Sequence, residues 1–347
     1  MSLRTPICDL LGVDVPIVVA PMGFITGPEL AAAVSDAGGF GVMAAGGAPP
    51  PVLQQQIRRL RQLTSRPFGV NILLFEVQGM DRPLDQLVGV CIAERVPVVS
   101  FFWGDCARYV PAIHAAGLKV MDQVGSVQAA ERSARAGVDI IVAQGLEAGG
   151  HVEGDITTLA LIPRVVDRIA PVPVVAAGGI ADGRGVAAVL ALGAVGAMIG
   201  TRFICTREAA AHPVYQENLL QASEKDTVRT ILFGHGWPNA PHRVLRTAFV
   251  DEWLGKEARA QESRNDEPVV GNLRMGGHEI PLLRFMGIPP NTATSGDIDK
   301  MALYAGQGVG LVREIKPAAD VVRELVQETE EVITKLAKSA AATEPRP

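Results

Sequence analysis

Eight short apolar runs recur through the first 200 residues, at 16–20, 40–44, 68–72, 96–100, 118–122, 139–143, 172–176 and 197–199. Their starts lie 21 to 33 residues apart, the length of one strand plus a crossover helix. Most lack polar–apolar alternation, which is the pattern of parallel strands buried on both faces. The segments between them (28–37, 52–63, 84–93, 107–116, 127–136, 158–169 and 183–192) carry helix patterns. Ser126 stands as an N-cap, and Gly38, Gly117, Gly137 and Gly193 stand as stops. Eight such units point to an α/β chain folded as a (β/α)8 TIM barrel, with its sites in the loops after the strands. An open doubly wound sheet is the structural alternative.

Residues 1–204 are therefore expected to form the barrel. The stretch 205–300 is richer in charge, Pro and Asn and weaker in periodicity, and is expected to be a mainly helical insertion, lid or second small domain after the eighth strand. Residues 301–338 return to apolar, glycine-rich sequence and end in an amphipathic helix. Residues 339–347 are expected to be a frayed tail.

Hydrophobic residues make up 48% of the chain and charged residues 20%, which suits a large core and excludes a disordered chain. Aromatic residues are only 5%, so Ala, Val, Leu and Ile must build that core. A net charge of −5 argues against a nucleic-acid partner. Cys8, Cys91, Cys106 and Cys205 show no CxxC or zinc spacing and read as reduced thiols. The N-terminus lacks a signal-peptide pattern, because Asp9 and Asp14 interrupt it. The uncharged run 185–201 reads as a buried helix followed by a strand, since Gly193 and Gly196 divide it. The expectation is a cytoplasmic protein without a membrane partner; a homodimer stays open.

Chemistry should lie where the strands end. The first strand closes in Ala20-Pro21-Met22-Gly23, which reads equally as a structural turn. The third ends at Asn71, which a turn or cap would also explain, and the fifth brings Gln123 to the same rim. The sixth leads into Gln144-Gly145-Leu146-Glu147-Ala148-Gly149-Gly150-His151. Its glycines allow close backbone approach to a ligand. The imidazole of His151 can titrate near neutrality, about 6.5 for a free ring, and move protons. The other histidines, His242 among them, read as structural or solvated. The seventh and eighth strands end in Gly178-Gly179 and Gly200-Thr201. In barrels the loops after these two strands commonly bind phosphate. There is no P-loop, no HExxH and no nucleophile elbow. Asn71, Gln123 and Thr201 are poor metal ligands and His151 has no second histidine at ligand spacing, so no metal is expected.

Together, Ala20-Pro21-Met22, Asn71, the Glu-Ala-Gly-Gly-His core of 145–154, Gly178-Gly179-Ile180, Gly200-Thr201 and Ala305-Gly306-Gln307-Gly308 resemble the nitronate monooxygenase family. The motifs span nearly the whole chain in the family's order. The resemblance implies an FMN-dependent TIM barrel that acts on a small nitro compound with O2, giving a carbonyl compound and nitrite. It implies His151 as the base that takes the α-proton of a neutral nitroalkane. Gly178, Gly179, Gly200 and Thr201 would hold the FMN phosphate, and Met22, Asn71, Gln123, Gly149 and Gln307 would line the rest of the cofactor. Gln123 departs from the lysine that some members carry. Trp103 either walls the substrate pocket or packs under the insertion. A flavin-dependent enoyl-thioester reductase using NAD(P)H, of the enoyl-[acyl-carrier-protein] reductase type, shares most of these motifs and remains the alternative.

Overall fold

The computed structural model describes residues 3–75, 83–262 and 266–341. Eight parallel strands, β1 (Ile17–Val19), β2 (Gly41–Ala44), β3 (Phe68–Leu73), β4 (Val98–Phe102), β5 (Lys119–Val124), β6 (Ile140–Gln144), β7 (Val174–Ala177) and β8 (Gly196–Ile199), pair in sequence order. β8 returns to pair with β1. The last gap, between β1 and β2, closes through a parallel bridge from Val18 to Phe40, with Val19 N to Phe40 O at 3.1 Å and Phe40 N to Ile17 O at 2.8 Å. The sheet is thus a barrel and not the open doubly wound alternative.

Both faces of the strands are apolar because both are covered. Val18, Phe40, Val42, Val98, Met121, Ile140, Val142, Val175 and Met198 fill the interior. Ile7 and Leu11 of the helix Pro6–Leu11 join that cluster. The alternate residues, such as Val19, Val70, Val99, Val120, Ile141, Ala176 and Ile199, pack outward against helix residues such as Leu30, Leu53, Ile57, Leu161 and Val165. Each such buried Val, Leu or Ile contributes roughly 1.5–3 kcal/mol. Ser126 caps its helix as expected, accepting from Ala129 N at 3.2 Å.

Three elements are displaced from the sequence expectation. β4 begins and ends two residues later than 96–100, so Phe101 and Phe102 lie within the strand and Trp103 stands at its end. The following helix is Val110–Ala115, shorter than 107–116. The run 185–201 divides into the helix Gly183–Ala191 and β8, and no helix among the described residues is long and apolar enough to cross a membrane.

The expectation of a mainly helical insertion holds only in part. Residues 205–300 hold the helices Pro213–Gln221, Ala248–Trp253 and Glu257–Gln261, and also five strands: Thr227–Thr230, His242–Leu245, Val269–Met275, His278–Leu283 and Thr294–Gly296. The last three form one antiparallel sheet, and the first two form another with the two-residue strand Gly150–His151. Leu232, Phe233, Val244, Phe249, Val250, Trp253 and Phe285 give the insertion an apolar core of its own. The final helix, Ala318–Ala341, packs between Gly183–Ala191 and Pro28–Asp36. It is the eighth helix of the barrel, and the whole insertion is therefore an enlarged eighth βα loop. Residues 339–341, expected to fray, continue this helix, and 342–347 lie outside the described residues.

Candidate active site

Strand alternation sends every second residue into the barrel, and at the C-terminal end these residues turn polar. Asn71 is 4% exposed, and its Nδ2 donates to Ser100 Oγ at 3.3 Å across the β3–β4 pair. Gln123 stands opposite Phe102 on the neighbouring strand. Gln144 ends β6 and donates from Nε2 to the carbonyl of His151 at 3.1 Å. An apolar interior thus gives way to an amide-lined mouth.

The loop after β6 is held by its backbone and by two guanidinium groups. Gly145 N bonds Ala177 O at 2.8 Å, and Val152 N bonds Pro241 O at 2.8 Å. Arg243 donates to Leu146 O at 3.1 Å, and Arg229 donates to Val152 O and Gly154 O at 3.2 Å each. The Glu147 carboxylate accepts from Thr158 N at 2.8 Å and fixes the start of the next helix. Gly149 has no room for a side chain, since a Cβ would lie 2.5 Å from Gly306 N and 2.6 Å from Ala305 C. The Gly306 and Gln307 backbone enters there: Gln307 N bonds Glu147 O at 2.9 Å, and Gly306 N bonds Thr201 Oγ1 at 3.0 Å. Gly179 (φ 72) adjoins Glu147, and Gly308 approaches the Gly179 carbonyl.

Gly149, Gly178, Gly179, Thr201 and Gln307 therefore meet at one side of the mouth. Gly200 and Met22 meet beside them, a Cβ on Gly200 falling 3.6 Å from Met22 Sδ. Asn71 and Gln123 stand further round the rim. Thr201, expected to offer a hydroxyl to phosphate, already uses its oxygen to accept from Gly306.

His151 follows two residues after Gly149 in the same loop. Its strand pairs with His242–Leu245, which sets His151 beside His242. The imidazole stacks on Trp237 (centroids 3.9 Å, 18°), and Trp237 stacks in turn on Phe75 (3.9 Å, 16°). Trp103 meets both His151 and Trp237 edge-on, at 5.9 and 4.9 Å. Trp103 thus walls the site and packs under the insertion at once. Tyr304 closes the enclosure at 5.6 Å, its hydroxyl donating to Gly287 O at 2.9 Å. Part of the His151 residue stays open, but Nε2 is buried and has no hydrogen-bond partner. Burial first, and then the neighbouring His242, hold the imidazole well below its ordinary 6.5. That corrects the expectation of titration near 6.5.

His242 is the neighbour without free capacity. Its Nε2 accepts from Phe233 N at 3.2 Å, so Nδ1 carries the proton and faces Ala240 O at 2.9 Å. Burial lowers it to about 4, and it stays neutral, in keeping with a structural role. Gln144 Oε1 and Arg229 Nε are further buried polar atoms of this region without a partner. Those of His151 and Gln144, at one barrel mouth, leave hydrogen-bonding capacity there for a bound group or for water. Among the described residues no group of three or more His, Cys, Asp or Glu is placed to hold a metal.

Sequence reasoning missed Ser100, Gln144, Trp237, Tyr304 and the contact with His242. Gln144 and Ser100 carried a local signal, each as a polar residue at the end of an apolar run.

The nitronate monooxygenase family profile matches residues 4–328. A Pseudomonas aeruginosa nitronate monooxygenase is 33% identical over 92% of this chain and 97% of its own. A hydroxy-methyl-oxo-octahydro-indene-carboxyl-CoA dehydrogenase of Mycobacterium tuberculosis is 37% identical over 73% of this chain and 69% of its own. The solved FabK of Thermotoga maritima superposes with a TM-score of 0.82 at 38% identity, covering 97% of this chain and 99% of that one. With the barrel, the glycine-lined rim and the histidine loop in the family's order, the chain belongs to the nitronate monooxygenase family of flavin-dependent oxidoreductases.

Proposed function

We propose that this enzyme oxidises nitronates, and the neutral nitroalkanes that give rise to them, to a carbonyl compound and nitrite with O2, using FMN. The observation that carries this reading is the buried, unpartnered Nε2 of His151 at the barrel mouth. A neutral imidazole there can take an α-proton, and the surrounding aromatic side chains keep water from competing for it. The residues present fit the cofactor. Gly178, Gly179, Gly200 and Thr201 would hold its phosphate, and Met22, Asn71, Gln123, Gly149 and Gln307 would lie along its remainder. The bound flavin supplies the electron acceptor that couples substrate oxidation to O2. Gln144 holds the His151 backbone through its carbonyl, while Arg229 and Arg243 hold the loop on either side.

The test compares wild type with His151→Asn on both protonation states of one nitro compound. General-base catalysis contributes ~10²–10⁴-fold, so the neutral form should lose about that much. The nitronate has no proton to give and should lose far less. With the imidazole held low, activity on the neutral form should reach its plateau below pH ~6.5. Equal losses on both forms would remove His151 from the base role.

A second reading, oxidoreduction of acyl thioesters, is favoured by the likeness to the CoA-thioester dehydrogenase and to FabK. Anaerobic mixing with NADPH separates the two. Rapid bleaching of flavin absorbance supports the thioester reading, and unchanged absorbance with turnover of nitronate supports the first.

A further inference from the structure

A buried imidazole that accepts a proton becomes a buried cation, and burial opposes that change. An opposite charge would normally offset the opposition, yet among the described residues only burial and His242 act on the His151 imidazole, and both lower it. The histidine ion pair His114–Asp139 lies elsewhere in the fold. The groups that face the His151 ring are His242, which is neutral, Tyr304, whose phenol burial keeps protonated, and the two indoles. Arg229 and Arg243, held to the same loop, are cations whose guanidinium groups donate to its carbonyls, and the loop's own Glu147 carboxylate is engaged with Thr158. The electron-rich surface in contact with the ring is the face of Trp237, nearly parallel to it at 3.9 Å.

We propose that Trp237 is a positioning residue for the base: its indole face holds the imidazole plane and stabilises the imidazolium that forms when His151 takes the substrate proton. The quadrupole of an indole attracts a cation over its face, most strongly where water is excluded. The stack is built to last. Phe75 backs the far face of Trp237, and Trp103 abuts its edge. Trp103 is itself held at φ 63, a backbone conformation that side-chain-bearing residues rarely adopt. Trp237 N bonds Gly234 O at 2.9 Å, and Asn239 N bonds Gln261 Oε1 at 2.7 Å, which fixes the loop at both sides of the ring.

The inference bears on the base role assigned above, but its test reads the histidine directly. In the flavin-loaded protein, the titration of His151 is followed by NMR of imidazole-labelled protein, for wild type, Trp237→Leu and Trp237→Phe. Leucine keeps apolar cover and removes the π face, so the His151 midpoint should fall by about 0.5–1.5 pH units. Phenylalanine should recover much of that loss. A midpoint that stays put or rises in Trp237→Leu overturns the inference, because Trp237 would then act through cover alone. Should Trp237→Leu fail to fold, fluorinated tryptophan incorporated into wild type weakens the π face without changing its shape. The midpoint must then fall with each added fluorine, and a constant value overturns the inference equally. A lowered midpoint together with equal losses for His151→Asn on neutral nitroalkane and nitronate would instead leave this inference standing and sink the base role.

Discussion

Asp122 offers a test in which the magnitude follows from the structure. Its carboxyl lies on the outer face of β5, 3% exposed, and accepts from Ser133 Oγ at 2.5 Å. Burial pushes it up to about 7, against the lowering effect of hydrogen bonds from Ser133 and from Cys106. Unfolded, the same carboxyl titrates near ~3.9. The folded value is raised, so the fold favours the protonated acid. The stability this gives is fully present below pH ~4 and is lost as pH rises through about 7. About three pH units at ~1.36 kcal/mol each set a ceiling near ~4 kcal/mol on that loss. Asp122→Asn removes the titration while keeping an oxygen for Ser133, although its added amide donors need partners and offset on the order of 1 kcal/mol. Relative to wild type, the variant should therefore gain on the order of 2–3 kcal/mol between pH 5 and pH 8. Urea unfolding of the flavin-loaded proteins at intermediate pH values measures the gap. A gap that does not change with pH would refute the reasoning, because it would mean that Asp122 is ionised in the fold throughout.

Two further outcomes follow from the loop that carries His151. Gly149→Ala places a methyl 2.5 Å from Gly306 N, where only backbone can yield. It should release flavin from a barrel that still folds, read as absorbance per chain beside far-ultraviolet circular dichroism, and full retention of colour counts against the placement of the cofactor. Arg243→Met leaves the half-buried Leu146 carbonyl without its donor, which should destabilise by on the order of 1 kcal/mol. An unchanged urea midpoint would show that water replaces the guanidinium there.

The barrel was legible because each strand is enclosed on both sides, so an unbroken apolar run suffices to mark it. The shift of β4 has a simple cause: the apolar stretch continues from Val96 to Phe102, and composition alone does not say which residues pair. Lys119 N bonds Pro97 O and starts the β4–β5 register just beyond it. The strands of the insertion gave no such signal. Val269 and Met275, at the two ends of one of them, are 56% and 45% exposed. A hairpin with water on much of both faces has neither a buried run nor clean alternation. Its polar residues then resemble those of a loop or an exposed helix.

The site divides along the same line. Its glycines and His151 were legible because a strand end, a close backbone approach and a short loop are local in sequence. The aromatic enclosure was not, since Phe75, Trp103, Trp237 and Tyr304 come from four separate stretches of chain. No periodicity links residues that meet only through tertiary packing. The division also separates two tasks. His151 and the glycine rim sit on loops anchored directly to β6, β7 and β8, where the barrel sets their positions. Trp237, His242 and Tyr304, which decide how dry and how basic that histidine is, belong to the enlarged eighth loop and the segment just after it. The two parts meet through ring faces, through the strand pairings of His151 with His242 and Gly150 with Arg243, and through the hydrogen bonds of Arg229 and Arg243 to the loop carbonyls, so changes within the eighth loop bear on the position of His151 as well as on its basicity.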